Sequence, residues 1–341
     1  MAHDVPNDVW RDTEPEQQRD TGVTQVVEAD LQSQPLTNRK VAAPEPCPSE
    51  HVGPFGGIGD STINAVSGYP HGPTGRRTEG DKSVKALRLL TMNTLFTGDV
   101  PARLRALGAA LDRSDYDIVC LQEVMFRRNA RLIRRAAPAY RHVAYSGSVL
   151  LKGGLVLLSR WPISRWRFVR YPMTGPVRGE LLMRKGAQLA SVTTPDGELV
   201  VVNTHLSANR DDDWSRTNRY TRIAGAELAR LSGLIAAIGP SLPVAVVGDL
   251  NVPRDSAVLA EFVATAGLRD ILAGDTRPTF RPTPRWPSPP ALDHVLVRAA
   301  AGETLTGSAD LVFQDKVTLG DGRQAYLSDH YGVQARLIRS K

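Results

Sequence analysis

An α/β (α+β) fold built on mixed β-sheet is what this sequence predicts, on three observations. Apolar runs of strand length alternate with stretches whose apolar residues fall at helical spacing. Two such runs flank a Thr194-Pro195-Asp196-Gly197 turn, a hairpin signal and so an antiparallel pair. Polar groups recur where the runs stop: Met92-Asn93-Thr94, Leu121-Gln122-Glu123-Val124, Asn203-Thr204-His205-Leu206, Gly248-Asp249-Leu250-Asn251, Leu292-Asp293-His294-Val295 and Ser328-Asp329-His330-Tyr331. A polar group at a strand end is held rigidly yet reaches solvent. Six such ends brought together make a pocket of oxygen ligands and histidines. That composition suits one hard divalent cation and acid–base chemistry.

Taken in order, Leu87–Asn93 reads as a buried strand, and Ala102–Leu111 has apolar residues at helical spacing. Asp117–Gln122 is a second strand and Asn129–Ala137 a basic amphipathic helix. His142–Tyr145, Leu155–Ser159 and Ser164–Val169 follow as strands, then Leu182–Val192 and Leu199–Thr204 as the hairpin. Ser215–Ile238 is a long helical pattern stopped by Gly239-Pro240. Val244–Gly248 is a short, wholly apolar strand; Ser256–Ala266 is a helix ended at Gly267; Leu292–Val297 and Tyr331–Ile338 are strands. Alternation together with hairpins argues for a mixed sheet.

Residues 1–82 differ from the rest. They are rich in Pro, Gly, Gln, Asp and Ser without sustained periodicity, so they cannot bury enough apolar area to offset their ordering entropy. The expected division is a disordered leader over 1–82 and one folded domain over 83–341. Charge divides in nearly the same place. Residues 1–80 hold 6 Lys or Arg against 12 Asp or Glu, whereas 81–341 hold 36 against 24. A net of +12 in the folded part favours polyanionic partners: nucleic acid, a phospholipid surface or phosphorylated small molecules. An Arg-rich composition bias explains the excess equally well. Cys47 lies among prolines and Cys120 inside an apolar run, which gives no disulfide framework. The longest apolar stretch, Leu231–Ile238, is far too short to span a bilayer, and the first residues lack a basic start followed by an apolar run. Cytoplasmic placement is the expectation.

Each polar piece has a plain alternative. Asp249 and Asn251 at i and i+2 after an apolar strand would point the same way on an extended backbone, able to hold a water and a phosphoryl oxygen. The same residues suit an Asx turn. Asp329-His330 pairs a proton shuttle with a carboxylate, or is an ordinary loop. Asn203 and His205 share a strand face, yet a lone strand-end histidine is commonly structural. Alternation sets Asp293 opposite His294, so only one of them faces the pocket. Glu123 at a strand exit suits Mg2+, which otherwise keeps waters and substrate oxygens, or is an exposed charge. Lys152-Gly153-Gly154 reads as a turn, and Arg165–Tyr171, with its interleaved basic and aromatic residues, as an edge strand or a contact to bases, phosphates or lipid headgroups. The Pro-rich stretch Pro278–Pro290, with Trp286, is expected at the rim.

In their order, Asn93, Glu123, His205, Asp249-x-Asn251, Asp293 and Asp329-His330 resemble the endonuclease/exonuclease/phosphatase superfamily over about residues 85–338. Gly153-Gly154-Leu155, Ser159-Arg160-Trp161-Pro162-Ile163, Lys185-Gly186-Ala187 and Asn203-Thr204-His205-Leu206 look most like its neutral sphingomyelinase branch. The resemblance implies two mixed β-sheets packed face to face and flanked by helices, a four-layer sandwich. It implies metal ligation by Glu123, Asn93 and Asp329, with Mg2+ as the ion and Mn2+ as its substitute. It implies that Asp249 and Asn251 position water and a phosphate oxygen, that Asp293 orients His330 as base or phosphate-polarising group, and that His205 serves the leaving-group side. Asn203 and Arg222 are implied on the substrate side. One departure is that Arg222-Ile223-Ala224-Gly225 keeps the family's Arg but lacks the Gln that commonly follows it. The activity implied is phosphodiester hydrolysis: first of a phospholipid head group, second of DNA or RNA, against a catalytically silent phospho-ligand binder. The implied partners are the phosphodiester substrate and, peripherally, anionic surfaces, with no obligate protein partner.

Overall fold

Strands and helices follow one another as β1 (Leu87–Asn93), α1 (Val100–Asp112), β2 (Ile118–Gln122), α2 (Arg127–Ala136), β3 (His142–Ser146), β4 (Leu155–Ser159), β5 (Ile163–Arg170), β6 (Gly186–Thr194), β7 (Gly197–His205), α3 (Arg219–Ala236), β8 (Val244–Asp249), α4 (Ala257–Thr265), β9 (Arg269–Asp270), β10 (Asp293–Arg298), β11 (Thr304–Val312), β12 (Val317–Thr318), β13 (Gln324–Ala325) and β14 (Gly332–Ser340). This computed structural model describes residues 86–146, 153–172, 174 and 183–340. The leader expected over 1–82 lies outside the described residues, as do Lys152 and Leu182.

Two six-stranded sheets form, in the orders β11-β14-β1-β2-β4-β3 and β5-β6-β7-β8-β10-β9. Each has one parallel pair at its centre, β1 with β2 and β7 with β8, among antiparallel neighbours. The expected mixed sheet is therefore found twice. Period-2 alternation sorts each strand's side chains into two cores. Leu89, Ile118, Cys120 and Leu157 of the first sheet meet Ala190, Val201, Ala245, Val247 and Val295 of the second. Their neighbours point away: Leu90, Val119 and Leu121 pack under α1 and α2, and Val200, Val202, Val244 and Val246 under α3 and α4. The layers run helix, sheet, sheet, helix. Strands covered on both faces must be apolar throughout, which is why Val244–Val247 shows no polar alternation.

Local signals set several boundaries. Pro101 stands in the first turn of α1. Asn218 caps α3 by accepting from the Tyr220 and Thr221 amides, and Ser256 caps α4 by accepting from Leu259. The α3 pattern was read from Ser215; the helix begins four residues later, because Asp213 takes the Ser215 amide in a turn and Asn218 is the cap. Strand β11 escapes the pattern altogether. It pairs with β14 over nine positions, yet as an edge strand it exposes most of its side chains.

Candidate active site

The sheet register itself collects the polar strand ends. Gly186 pairs with His205, His205 with Asp249 and Asp249 with Asp293, so β6, β7, β8 and β10 finish in one row. In the other sheet Asn93 pairs with Gln122, and Glu123 follows directly. By alternation Asn93, His205, Asp249 and Asp293 share the inner face with Leu89, Val201, Val247 and Val295. The site is the polar end of the cleft between the two sheets. Gly248 stands next to the row at φ +138°, where a Cβ would overlap the Thr204 carbonyl oxygen; only glycine lets β7 and β8 close here.

Asp249 is the hub. Its Oδ2 accepts from Asn93 Nδ2 at 3.0 Å and lies 3.3 Å from His205 Nε2 and 3.7 Å from His330 Nε2. Its Oδ1 accepts from the Asn251 amide at 2.9 Å. The Asx-turn reading of this piece holds on Oδ1, while Oδ2 faces the other polar strand ends. The extended geometry expected across Asp249 and Asn251 does not: β8 ends at Asp249, and Asn251 adopts φ 51° with its Nδ2 on Leu206 O at 2.9 Å. Glu123 also sits at positive φ, 63°, with Oε1 on Asn93 Nδ2 at 3.2 Å and Oε2 on the Phe96 amide at 3.0 Å. Left-handed backbone at two non-glycine site residues is strain the surrounding fold must hold.

His330 Nδ1 donates to Asp293 Oδ2 at 2.9 Å, as the resemblance implies. Its ring stands edge-on to Phe280, with centroids 5.0 Å apart, and Phe280 packs on Trp286 at 5.1 Å, so the Pro-rich segment lines the site beside His330. Burial opposes a charge on His330, yet Asp293 and Asp249 raise its pKa to about 10. Burial likewise opposes the Asp249 carboxylate, but His330, His205 and Lys185 hold it well below the usual range. A carboxylate–imidazolium pair is thus built into the centre.

Asp329 follows the opposite trend. Burial raises its carboxyl, and Glu123 adds to this against the pull of His330. Glu123 and Asp329 are both hard oxygen donors and fit a Mg2+ ion that takes one or two protein carboxylates and keeps its waters. Among the described residues no group of three or more His, Cys, Asp or Glu is gathered for one ion. Asn93 departs from its implied ligand role. Its amide nitrogen faces Glu123 and Asp249, and its oxygen accepts the Leu95 amide at 3.0 Å.

Neither residue implied on the substrate side joins the cluster. Asn203 is wholly buried, accepting from Gln122 Nε2 at 2.8 Å and donating to the Leu121 and Val156 carbonyls, where it ties the sheets together below the site. Arg222 is exposed on α3, and its backbone amide bonds to Asn218 O. His294 points to the outer face as alternation requires and reaches Val252 O at 2.9 Å.

Three residues went unassigned in the sequence. Lys185, cited there only within a branch pattern, is buried with Nζ 2.9 Å from His205 Nε2 and 2.7 Å from Leu206 O. Arg103 donates to the carbonyls of Thr94, Leu95, Thr97 and Leu327, each at 2.7 Å. Arg281 donates to Ser328, Phe313 and Gln314 carbonyls and lies over the Tyr326 and Tyr331 rings. These two guanidiniums fix the loops that carry Phe96 and Asp329. Their planar fork serves several carbonyls at once, but in the sequence they are two arginines among many.

Arg103→Leu would leave four inward carbonyls unmatched. It is expected to cost about 3–5 kcal/mol, read in urea unfolding, with Arg103→Lys recovering only part. His294 gives a second expectation. Burial, then Arg254, lowers its pKa from 6.5 to about 3, so the fold holds it neutral while the unfolded chain takes a proton below 6.5. Stability is therefore full above pH 6.5 and declines as pH falls toward 3, by about 2 kcal/mol at pH 5. His294→Gln should flatten that slope in urea titrations across this range; an unchanged slope refutes the assignment.

Comparisons with known proteins identify the family and the fold. The model of the Endonuclease/Exonuclease/phosphatase family matches residues 90–330. The chain is 35% identical over 114 residues to an inositol phosphosphingolipids phospholipase C of Schizosaccharomyces pombe, a match covering 31% of this chain and 26% of that protein. It is 24% identical over 273 residues to a putative neutral sphingomyelinase of Drosophila melanogaster, covering 74% of this chain and 60% of the relative. It thus spans under two thirds of either curated relative. Among solved structures, sphingomyelinase C from Streptomyces griseocarneus superposes with TM-score 0.57 at 23% identity, covering 74% of this chain and 99% of that one. D. rerio TDP2 complexed with a single-strand DNA product superposes with TM-score 0.60 at 19% identity, covering 74% and 98%. At such identities the structural likeness speaks for the fold.

Proposed function

Because the chain belongs to the endonuclease/exonuclease/phosphatase family, we propose that it is a Mg2+-dependent phosphodiesterase that releases a phospholipid head group. The observation carrying this is the convergence on the Asp249 carboxylate of Asn93, His205 and His330, with Lys185 behind His205. In this reading Asp249, kept ionised, orients an attacking water and takes up the proton it loses as the P–O bond forms. His330, kept charged by Asp293, offers its Nε2 proton to a phosphate oxygen whose charge grows during attack. His205, braced by Lys185, stands where a leaving oxygen would take a proton, a contribution of about 10²–10⁴-fold. Mg2+ held by Glu123 and Asp329 would supply charge neutralisation on the phosphoryl or leaving oxygen.

The lipid substrate is supported by both curated relatives, an inositol phosphosphingolipids phospholipase C and a putative neutral sphingomyelinase, and by the Lys185-Gly186 and His205 pieces within the site. The nuclease reading is favoured by one observation, the net +12 of residues 81–341. Chelation with EDTA should stop hydrolysis of bis-p-nitrophenyl phosphate, and Mg2+ should restore it. Head-group release from sphingomyelin or phosphatidylinositol vesicles without nicking of supercoiled plasmid is the expected pattern. Nicking without head-group release would replace the lipid reading by the nuclease one.

A further inference from the structure

Helix α2 follows the site strand so closely that Phe126, its cap, is three residues from Glu123. Fully extended, that connection spans at most about 11 Å, so the helix starts at the rim. Of its ten residues five are arginine: Arg127, Arg128, Arg131, Arg134 and Arg135. All five are exposed. At about 100° per residue they fall within an arc of about 120°, a stripe about 12 Å long. Asn129, Ala130 and Ile133 occupy the opposite face and are buried, the last two in the core under the first sheet. The orientation is fixed, since Gly108 of α1 presses against Ala136.

The stripe is not neutralised. Among the described residues Arg127, Arg131, Arg134 and Arg135 have no ion-pair partner. The acids around α1 are engaged elsewhere: Asp99 with Arg323, Asp115 with Arg88, and Asp112 with the Ala139 amide. Like charges at i and i+4 destabilise a helix slightly; the helix dipole favours Arg134 and Arg135 in the last turn, but it gives no such reward to Arg127, Arg128 and Arg131. By contrast, the basic-aromatic strand noted in the sequence is partly satisfied, because Arg165 pairs with Glu198.

We propose that the arginine face of α2 docks the protein on an anionic phospholipid surface, presenting the rim of the site to the bilayer. This rests on the lipid reading of the site. Charge complementarity selects an anionic partner. The composition of the face selects the surface: its exposed residues are arginines, the Phe126 ring at the cap is half-buried with the Arg128 guanidinium 4.7 Å over it rather than open to stack on unpaired bases, and Asn129 is buried and offers no amide to a base edge. Its apolar side is committed to the core, so the contact is electrostatic and lies on the headgroups without insertion. No helix among the described residues is long and apolar enough to cross a membrane.

The test is co-sedimentation of the full chain with phosphatidylserine–phosphatidylcholine vesicles and with phosphatidylcholine alone, at low and high salt. The wild type should bind only the anionic vesicles, and high salt should release it. Arg131→Glu/Arg134→Glu/Arg135→Glu should lower that binding by roughly a hundredfold or more. Arg134→Gln/Arg135→Gln should fall between. Both variants should keep the circular dichroism and the bis-p-nitrophenyl phosphate hydrolysis of the wild type. Equal binding by wild type and triple variant overturns the proposal. So does a wild type that retards plasmid but ignores anionic vesicles. Vesicle binding that depends on these arginines, with no head-group release, leaves the docking face standing and removes the lipid substrate instead.

Discussion

His330→Ala is expected to lower turnover of bis-p-nitrophenyl phosphate by about 10²–10⁴-fold while leaving the Mg2+ dependence in place. The imidazole is buried, hydrogen-bonded to Asp293 on one nitrogen and turned toward Asp249 on the other. Removing it takes away the donor proposed to meet the phosphate and leaves Asp293 and Asp249 facing each other without the group that lies between them. Asp293→Asn separates two contributions. It retains the ring and its packing on Phe280 but removes the charge that holds the imidazolium. It should reproduce much of the loss in kcat with little change in KM, because the defect lies in the transition state rather than in binding. A His330→Ala enzyme with wild-type kcat would remove this residue from the chemistry.

Glu123→Ala should cost about 10²–10³-fold at saturating substrate and raise the Mg2+ concentration needed for half-maximal rate. Glu123 is the better of the two carboxylates for this inference. It sits at φ 63° with both oxygens engaged, one by Asn93 and one by the Phe96 amide, so its direction is fixed before any ion arrives. Glu123→Gln keeps the shape and one acceptor and loses the charge. If the residue serves only to brace the Phe96 loop, Gln should be nearly silent. If it serves a cation, Gln should behave like Ala in the metal titration.

The parts of this fold that were legible in the sequence are those where burial dictates residue type. Leu87–Asn93 and Leu155–Ser159 were found to the residue, since strands buried along most of their length are dominated by apolar side chains. Thr304–Val312 was missed because an edge strand with one exposed face leaves a weaker apolar pattern. The site shows the same division. Strand-end positions such as Asp249 and Asp293 were readable because period-2 alternation fixes their side, and alternation also separated Asp293 from His294. What alternation could not supply is depth along the cleft: Asn203 and His205 share a face, but one lies beneath the site and the other in it. Arg103 and Arg281 were invisible for a different reason. Their role is to satisfy carbonyls of irregular loops, near in the chain for Arg103 apart from Leu327 and distant for Arg281, and no local pattern marks a guanidinium that does so.

The division of the row between the two sheets has a practical outcome. Asn93 and Glu123 ride on one layer, His205, Asp249 and Asp293 on the other, and a single hydrogen bond from Asn93 to Asp249 joins them at the chemistry. Turnover is therefore a ruler laid across the middle of the sandwich. In a denaturant series, a slip of one layer against the other would silence the enzyme while every strand still gave its far-ultraviolet signal.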